Sequence, residues 1–366
     1  LAQRVRELKT NADNWCTQLE SFRSGNPEAA GLLDNLTSAH VPGSLADKLM
    51  SAVPEKDMAT RKSGGAIMQR AAELVPALCG GAADLNPSTN THLDAEEDFS
   101  PDCREARNIH FGVREFAMGL CANGFAIYGA AIPFTATFTV FSDFMKPALR
   151  LAAIQKAHVV NVFTHDSIFV GEDGPTHQPI EHLMMMRAIP GYTLLRPAES
   201  HEVAQAWAVA LQLGGPCAIL LTRQTVENLS DDLVKHVDVA KGAYILSDDD
   251  ETEYILIATG SEVALALGAA EILRGQGRAV RVVSMPSWEL FEQQSTEYRE
   301  QVLPPDCTRR VTIEAGITMG WERYAGNRGL MVGVDHFGHS APCKVLAEKY
   351  GLTPDAVAER VLAHFA

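Results

Sequence analysis

The stretch His165-Asp-Ser-Ile-Phe-Val-Gly-Glu-Asp-Gly-Pro-Thr-His177-Gln-Pro, preceded by the apolar run Val159-Val-Asn-Val-Phe-Thr164, decides how this chain is read. Two histidines and three carboxylates are set around two glycines and Pro175. Buried in a strand, those charges would need partners, so the segment reads as a loop. The run before it has the length and composition of a buried strand. A polar, glycine-bearing loop leaving the end of a strand is where α/β folds place ligands.

Working outward, helical and strand-like segments alternate. Helical spacing is read over Ala66–Leu78, with Ile67, Ala71, Leu74 and Leu78 along one side, and over Phe116–Tyr128 and Phe141–Ala157. Cys217-Ala-Ile-Leu-Leu-Thr222 reads as a second buried strand. An acidic, turn-rich stretch at 231–252 marks a boundary. Beyond it come a strand at Tyr254–Thr259, a turn Gly260-Ser-Glu262 into a helix ended by Gly275 and Gly277, and strands at Val280–Met285 and Arg310–Glu314. This pattern predicts two consecutive α/β domains, each a mostly parallel sheet flanked by helices. Ahead of them, Val5, Leu8, Trp15 and Leu19 give a loose helical spacing, broken at Gly25-Asn26-Pro27 and again at Pro42-Gly43 and Pro54. The expected division is a helical linker at 1–56, one domain at 57–235 and a second at 236–366.

Bulk properties exclude some functions. The 366 residues are 46% hydrophobic and 21% charged, which suits a globular chain with cores. A net charge of −15 without a Lys/Arg-rich block argues against a nucleic-acid partner, because phosphate backbones demand a basic face. Anionic substrates then require a local cluster of Arg and His. The seven cysteines are scattered, odd in number and without a Cys-x-x-Cys pair, which reads as reduced thiols and a cytoplasmic location. No apolar run is long enough to cross a bilayer, so no membrane partner is expected. No metal-ligand spacing stands out. The first residue is Leu1 and no signal peptide is visible, so the chain is expected to begin inside a longer polypeptide.

Several residues carry a structural and a chemical reading side by side. Glu115, in Ile109-His-Phe-Gly-Val-Arg-Glu-Phe116, stands in the first turn of a helix, where the dipole favours a carboxylate. Phe138, Phe141 and Phe144 recur every third residue, as the core stripe of a helix would. Gly80-Gly-Ala-Ala-Asp-Leu-Asn-Pro-Ser88 is an ordinary loop signal. Arg223, just after a buried strand, can be a solvated end residue. Gly260-Ser-Glu can cradle an anion or simply make a tight βα turn.

The spellings Thr164-His-Asp-Ser167, Gly171-Glu-Asp-Gly-Pro-Thr-His-Gln-Pro179 and His110-Phe-Gly-Val-Arg-Glu-Phe116 resemble those of transketolases, over nearly the whole chain. The resemblance implies an enzyme of the pentose phosphate pathway that uses thiamine diphosphate to move a two-carbon ketol unit between sugar phosphates. It makes 57–235 the pyrimidine-binding domain and 236–366 the transketolase C-terminal domain. In that family the glutamate matching Glu115 hydrogen-bonds the pyrimidine N1′ and so promotes loss of the thiazolium C2 proton. Phe138, Phe141 and Phe144 become an aromatic pocket for the flat pyrimidine. Many relatives have Tyr where Phe144 stands, so any contact of that hydroxyl is lost. Asp84 is placed near the thiazolium. Arg61 (in Ala59-Thr-Arg-Lys-Ser63), Ser88, His165 and Arg223 form a phosphate cluster, a task suited to the guanidinium fork. Asp173 accepts from a sugar hydroxyl, and His177 stands by the reacting centre as a candidate for proton transfer. His110, His182, His336 and His339 match no active-site role.

Thiamine diphosphate enzymes hold Mg²⁺ or Ca²⁺ and the diphosphate with Gly-Asp-Gly and a later Asn. This chain has no Gly-Asp-Gly, and Gly171-Glu-Asp-Gly174 runs into Pro175. The resemblance therefore implies a fragment or subunit with half of an active site, inactive alone. The linker would leave the missing diphosphate-binding domain, which would bind the metal and act as partner, in a homodimer whose site lies between subunits. Dihydroxyacetone synthase shares most of these motifs. Deoxyxylulose-phosphate synthase has Ala-Glu-Gln-His where Arg114-Glu-Phe116 stands, and the dehydrogenase E1 β subunits lack the Gly-Glu-Asp-Gly-Pro-Thr-His spelling. A non-catalytic dimerisation or regulatory module is the alternative from another class, and the retention of Glu115 and His177 counts against it.

Overall fold

A computed structural model describes residues 1–366. Twelve strands are formed: β1 Met58–Ala59, β2 Leu78–Ala82, β3 Ile132–Phe138, β4 Val160–Thr164, β5 Thr193–Leu195, β6 Cys217–Leu221, β7 Thr225–Val226, β8 Tyr244–Ser247, β9 Tyr254–Ala258, β10 Val280–Ser284, β11 Arg310–Ile313 and β12 Leu330–Val332. Five of them build a wholly parallel sheet in the order β2-β3-β4-β6-β5. A second sheet runs β12-β11-β9-β10-β8, parallel except for its antiparallel edge strand β8. β1 and β7 form a short antiparallel ribbon. Every residue of β3, β4, β6 and β9 is buried, as expected of strands covered by helices on both faces.

The expected two-sheet α/β architecture is present, with differences in detail. The helix read at Ala66–Leu78 is Thr60–Leu74, and Leu78 instead opens β2. Pro76 denies an amide to a continuing helix and separates the two. Gly80-Gly81, read as loop, is strand. A Cβ on Gly80 would lie 2.0 Å from the Phe134 carbonyl oxygen, and one on Gly81 would lie 1.9 Å from that of Ile109. The glycines admit backbone on both sides, which a propensity reading mistakes for a turn. Phe138, Phe141 and Phe144 do not share one helix. They occupy the end of β3, a single 3₁₀ turn and the helix Ser142–Gln155. The acidic boundary at 231–252 contains β8.

At the start, the helix Ala2–Gly25 has no buried residue, and it ends at Asn26 before the helix Pro27–Thr37. A short helix Leu45–Met50 buries Leu45 and Leu49 in the main core. No helix is long and apolar enough to cross a membrane.

Candidate active site

Parallel strands put all their carboxyl ends on one edge, and the candidate residues leave the first sheet from that edge. β2 runs out to Asp84, β3 ends in Phe138, β4 delivers His165, and β6 delivers Arg223. A parallel bridge between Gly80 and Asn108 lays the 107–111 segment along β2, which carries Glu115 to the same side. The helix Thr60–Leu74 is pinned there by paired threonines. The Thr60 amide donates to Thr222 Oγ1 (2.9 Å) and the Thr222 amide to Thr60 Oγ1 (2.7 Å), so Arg61 and Arg223 become neighbours.

The aromatic residues and the histidines meet. The Phe138 and Phe141 rings lie nearly parallel, centroids 5.7 Å apart and planes 9° apart. His165 lies over Phe138 at 3.6 Å, and His177 meets Phe141 edge-on at 5.7 Å. Phe144 is 6.2 Å from Phe141 but 63% exposed, so it forms the outer rim of the cluster rather than a wall. Glu115 begins the helix Glu115–Tyr128 and is 8% exposed, and its carboxylate makes no hydrogen bond or ion pair within the chain. It is thus no side-chain cap; it is a mostly buried acid without a partner, beside a helix start.

The basic residues form a spot without a counter-charge. Arg61 Nη1 donates to the Ser88 carbonyl (2.6 Å), its Nε is buried and unpaired, and neither Arg61 nor Arg223 joins a salt bridge. Ser88 thus contributes a backbone oxygen to this contact. Burial, with Arg61, Arg223 and His177 close by, pushes His165 down to about 3. It therefore stands as a neutral ring, with Nδ1 2.8 Å from Thr164 Oγ1. An anion placed here would meet two guanidiniums at little desolvation cost to any existing pair.

Asp84 is exposed, in the left-handed region at φ 58°, and faces a groove of about 780 Å³ shared with Lys62, Asn86, His92 and His110. His110, assigned no role from sequence, thus lines the same groove. Asp173 is exposed and His177 half-buried on the loop after β4, and Thr176 Oγ1 is 2.9 Å from His177 Nδ1. His182 is buried, its Nε2 3.2 Å from Asp143 on the helix that carries Phe144. Gly260 cradles no anion. A Cβ there would lie 2.6 Å from Arg196 Cζ, so the turn receives a guanidinium.

That guanidinium is the feature sequence reasoning missed. Arg196 is completely buried where the two domains meet. Its Nε donates to Asp166 (2.8 Å), and Nη1 donates to Glu262 and to the Thr259 carbonyl (3.0 Å). Glu314 lies 3.9 Å off and is gripped by Arg187 at 2.8 and 2.7 Å. Burial raises the Glu262 carboxyl, with Arg196 pulling it back down. Nearby, Glu202 is pushed up to about 7 by burial, although Ser284 and Tyr244 donate to it. The crevice at the carboxyl ends of β9 and β11, where a lone doubly wound domain would take a ligand, is filled by the neighbouring domain's arginine. The only sequence signal was an arginine directly after an apolar strand, which is also how a surface residue looks.

The residues fit the pyrimidine half of thiamine diphosphate: an acid at Glu115 whose carboxylate makes no bond within the chain, and ring faces at Phe138 and Phe141. No group of three or more His, Cys, Asp or Glu side chains is arranged to hold a metal ion.

Comparison with known proteins agrees with this layout. The model for "Transketolase, pyrimidine binding domain" matches residues 56–228, and that for "Transketolase-like TK C-terminal domain" matches 242–353. A transketolase of Staphylococcus epidermidis is 43% identical over 364 residues, 98% of this chain and 54% of the relative. The solved transketolase of Leishmania mexicana superposes with a TM-score of 0.92 at 38% identity, over 98% of this chain and 53% of that one. A solved protein described as "Split gene transketolase, inactive beta4 tetramer" gives a TM-score of 0.69 at 26% identity, with 84% of this chain covering 98% of that one. The chain spans about half the length of the curated relatives it matches. With both domain models matched in order and the solved fold shared along nearly all its length, this chain belongs to the transketolase family.

Proposed function

We propose that this chain supplies the pyrimidine-binding half of a transketolase active site, for two-carbon ketol transfer between sugar phosphates. The observation that carries the reading is the convergence, on one sheet edge, of an acid left without a partner in the chain, an aromatic pair and an uncompensated basic spot. Thiamine diphosphate, when bound, supplies the nucleophilic carbon that carries the two-carbon unit. Glu115 would hold a proton against a pyrimidine nitrogen. Phe138 and Phe141 would grip the ring and keep water from it. Arg61, Arg223 and the neutral His165 would bind the substrate phosphate, with Ser88 alongside, and Asp84 would stand near the thiazolium. Asp173 would accept from a sugar hydroxyl, and His177 would move a proton at the reacting carbon's oxygen.

The diphosphate and its Mg²⁺ or Ca²⁺ would be held by a diphosphate-binding domain acting as partner, so the chain alone would be inactive. The residue division 1–56, 57–235 and 236–366 is the proposed domain plan. A homodimer is supported by the outward face of two packed helices, Glu115–Tyr128 and Ser142–Gln155, which leaves Phe116, Phe125, Tyr128, Phe144 and Ile154 exposed. Seven unpaired cysteines accord with a cytoplasmic location.

Calorimetry tests the half-site. The chain alone is expected to bind thiamine diphosphate weakly or not at all with Mg²⁺ present, and to acquire ketol transfer from hydroxypyruvate when a diphosphate-binding domain is added. Tight, magnesium-dependent binding to the chain by itself would overturn the assignment.

A further inference from the structure

The loop that carries Asp173 and His177 has little core of its own, since Glu172, Asp173, Pro175 and Thr176 are all exposed. Two turns shape it: the Gly174 amide donates to the Gly171 carbonyl (3.1 Å) and the His177 amide to that of Gly174 (3.0 Å). What anchors those turns is the next side chain. Gln178 is 2% exposed, and its carboxamide nitrogen donates to two carbonyls at 2.9 Å each, those of Gly171 and His339. The first bond closes the loop upon itself. The second ties it to the segment after β12, in the other sheet's domain.

Further contacts lie along the same seam. Ser340 Oγ donates to the Glu172 carbonyl, and the Ile317 amide donates to the Ile180 carbonyl at 3.0 Å. A Cβ on Gly338 would lie 1.8 Å from Gln178 Oε1, so a side chain at 338 would displace the carboxamide. A Cβ on Gly174 would lie 3.2 Å from Ser340 Cβ. Both loop edges therefore rest on the C-terminal domain, and the contact next to His177 is made by the Gln178 side chain.

We propose that Gln178 is a positioning residue, through which the C-terminal domain holds His177 and Asp173 at the stations they need on the sugar. The proposal rests on the transketolase reading of those two residues. Displacing a reacting group by about 1 Å costs on the order of 100-fold in rate, and Gln178 is the buried side-chain tether at the His177 end of the loop. The C-terminal domain then contributes to the reaction without touching substrate.

Two variants test this, each in the full chain and in its assembly with a diphosphate-binding domain. Gln178→Met keeps length and removes both donors. Gln178→Glu keeps shape, and only its protonated form offers one donor. In the chain alone, Gln178→Met is expected to speed amide exchange about tenfold over 171–177 while leaving the sheets unchanged. In the assembly, kcat should fall about 10- to 100-fold with thiamine diphosphate affinity unchanged. Gln178→Glu should regain rate as pH falls, and Gln178→Met should not. Unaltered exchange over 171–177 in Gln178→Met would overturn the tether. Loss of protection spread over both domains, or a Gln178→Glu profile identical to that of Gln178→Met, would overturn the positioning role in favour of a merely structural one. A parent assembly without ketol transfer would instead overturn the function proposed above, and the exchange measurement would still decide the tether.

Discussion

Arg196→Met strips Asp166 and Glu262 of the cation they share across the domain junction. Methionine roughly fills the stem's volume, so the effect is electrostatic more than steric. Asp166 keeps no other side-chain partner, and one of its oxygens is already unpaired. Glu262 retains only the Ser261 hydroxyl and the Ala315 amide. Glu314 is spared, because Arg187 and the Trp321 indole still hold it. Breaking a buried ion pair by removing one partner costs about 3–5 kcal/mol. If 366 residues unfold in one step, the unfolding entropy of about 2.1 cal/mol/K per residue turns that into a drop of roughly 4–7 °C in Tm.

The sign of the pH dependence gives a second check. Glu262 is raised by burial and lowered by Arg196; without the arginine its folded value rises further above its unfolded one. A raised carboxyl stabilises the fold below its unfolded pKa and loses that stabilisation as pH rises through the folded value. The deficit of Arg196→Met should therefore be largest near pH 8 and shrink toward pH 5. Scanning calorimetry across that range measures it, and separation into two transitions would report the domains coming uncoupled. A loss below about 1 kcal/mol that does not vary with pH would refute the reasoning.

The other predictions concern the site. Glu115→Ala should leave the fold intact and lower turnover of the assembled enzyme by orders of magnitude, because the lost group acts in the transition state and not in packing; cofactor C2–H exchange at the parent rate would remove Glu115 from that role. Arg223→Ala should raise KM for sugar phosphates about ten- to a hundredfold, from lost charge-assisted hydrogen bonds of about 1.5–3 kcal/mol, and should spare hydroxypyruvate. Equal losses on both donors would make Arg223 a support for the loop. The same variant should raise the His165 titration midpoint from about 3, since Arg223 helps to depress it. With its folded value below the ordinary one, neutral His165 contributes stability above about pH 6.5 that is lost as pH falls toward 3, and imidazole NMR follows both effects.

Some of this was legible in the chain because the physics is local. β4 and the loop after it follow from an apolar run that gives way to a polar, glycine-bearing segment, and β6, β9, β10 and β11 follow from apolar runs of strand length. β2 was not legible. Its glycines are there for a close backbone approach that exists only once Phe134 and Ile109 have been brought alongside. The phenylalanine triplet misleads for a related reason: its spacing of three spans a strand end, a turn and a helix start, and periodicity carries no mark of that change.

For the site, the motif spellings named residues, but they could not say which ones are held and by what. His165 and His177 are spelled in one loop, yet the structure treats them differently. His165 is buried beside two arginines and neutral, fixed by the sheet it leaves. His177 is half-exposed and owes its place to Gln178 and to a segment more than 150 residues away. Arg196 makes the same point from the interior. Its three carboxylate neighbours come from residues 166, 262 and 314, so no window of sequence contains the cluster. Both long-range devices join the loop after β4 to the C-terminal domain. Asp166 is tied at the loop's start through Arg196 and Gln178 at its end through His339, which fixes both ends of the loop while the side chains of Asp173, Pro175 and Thr176 stay exposed.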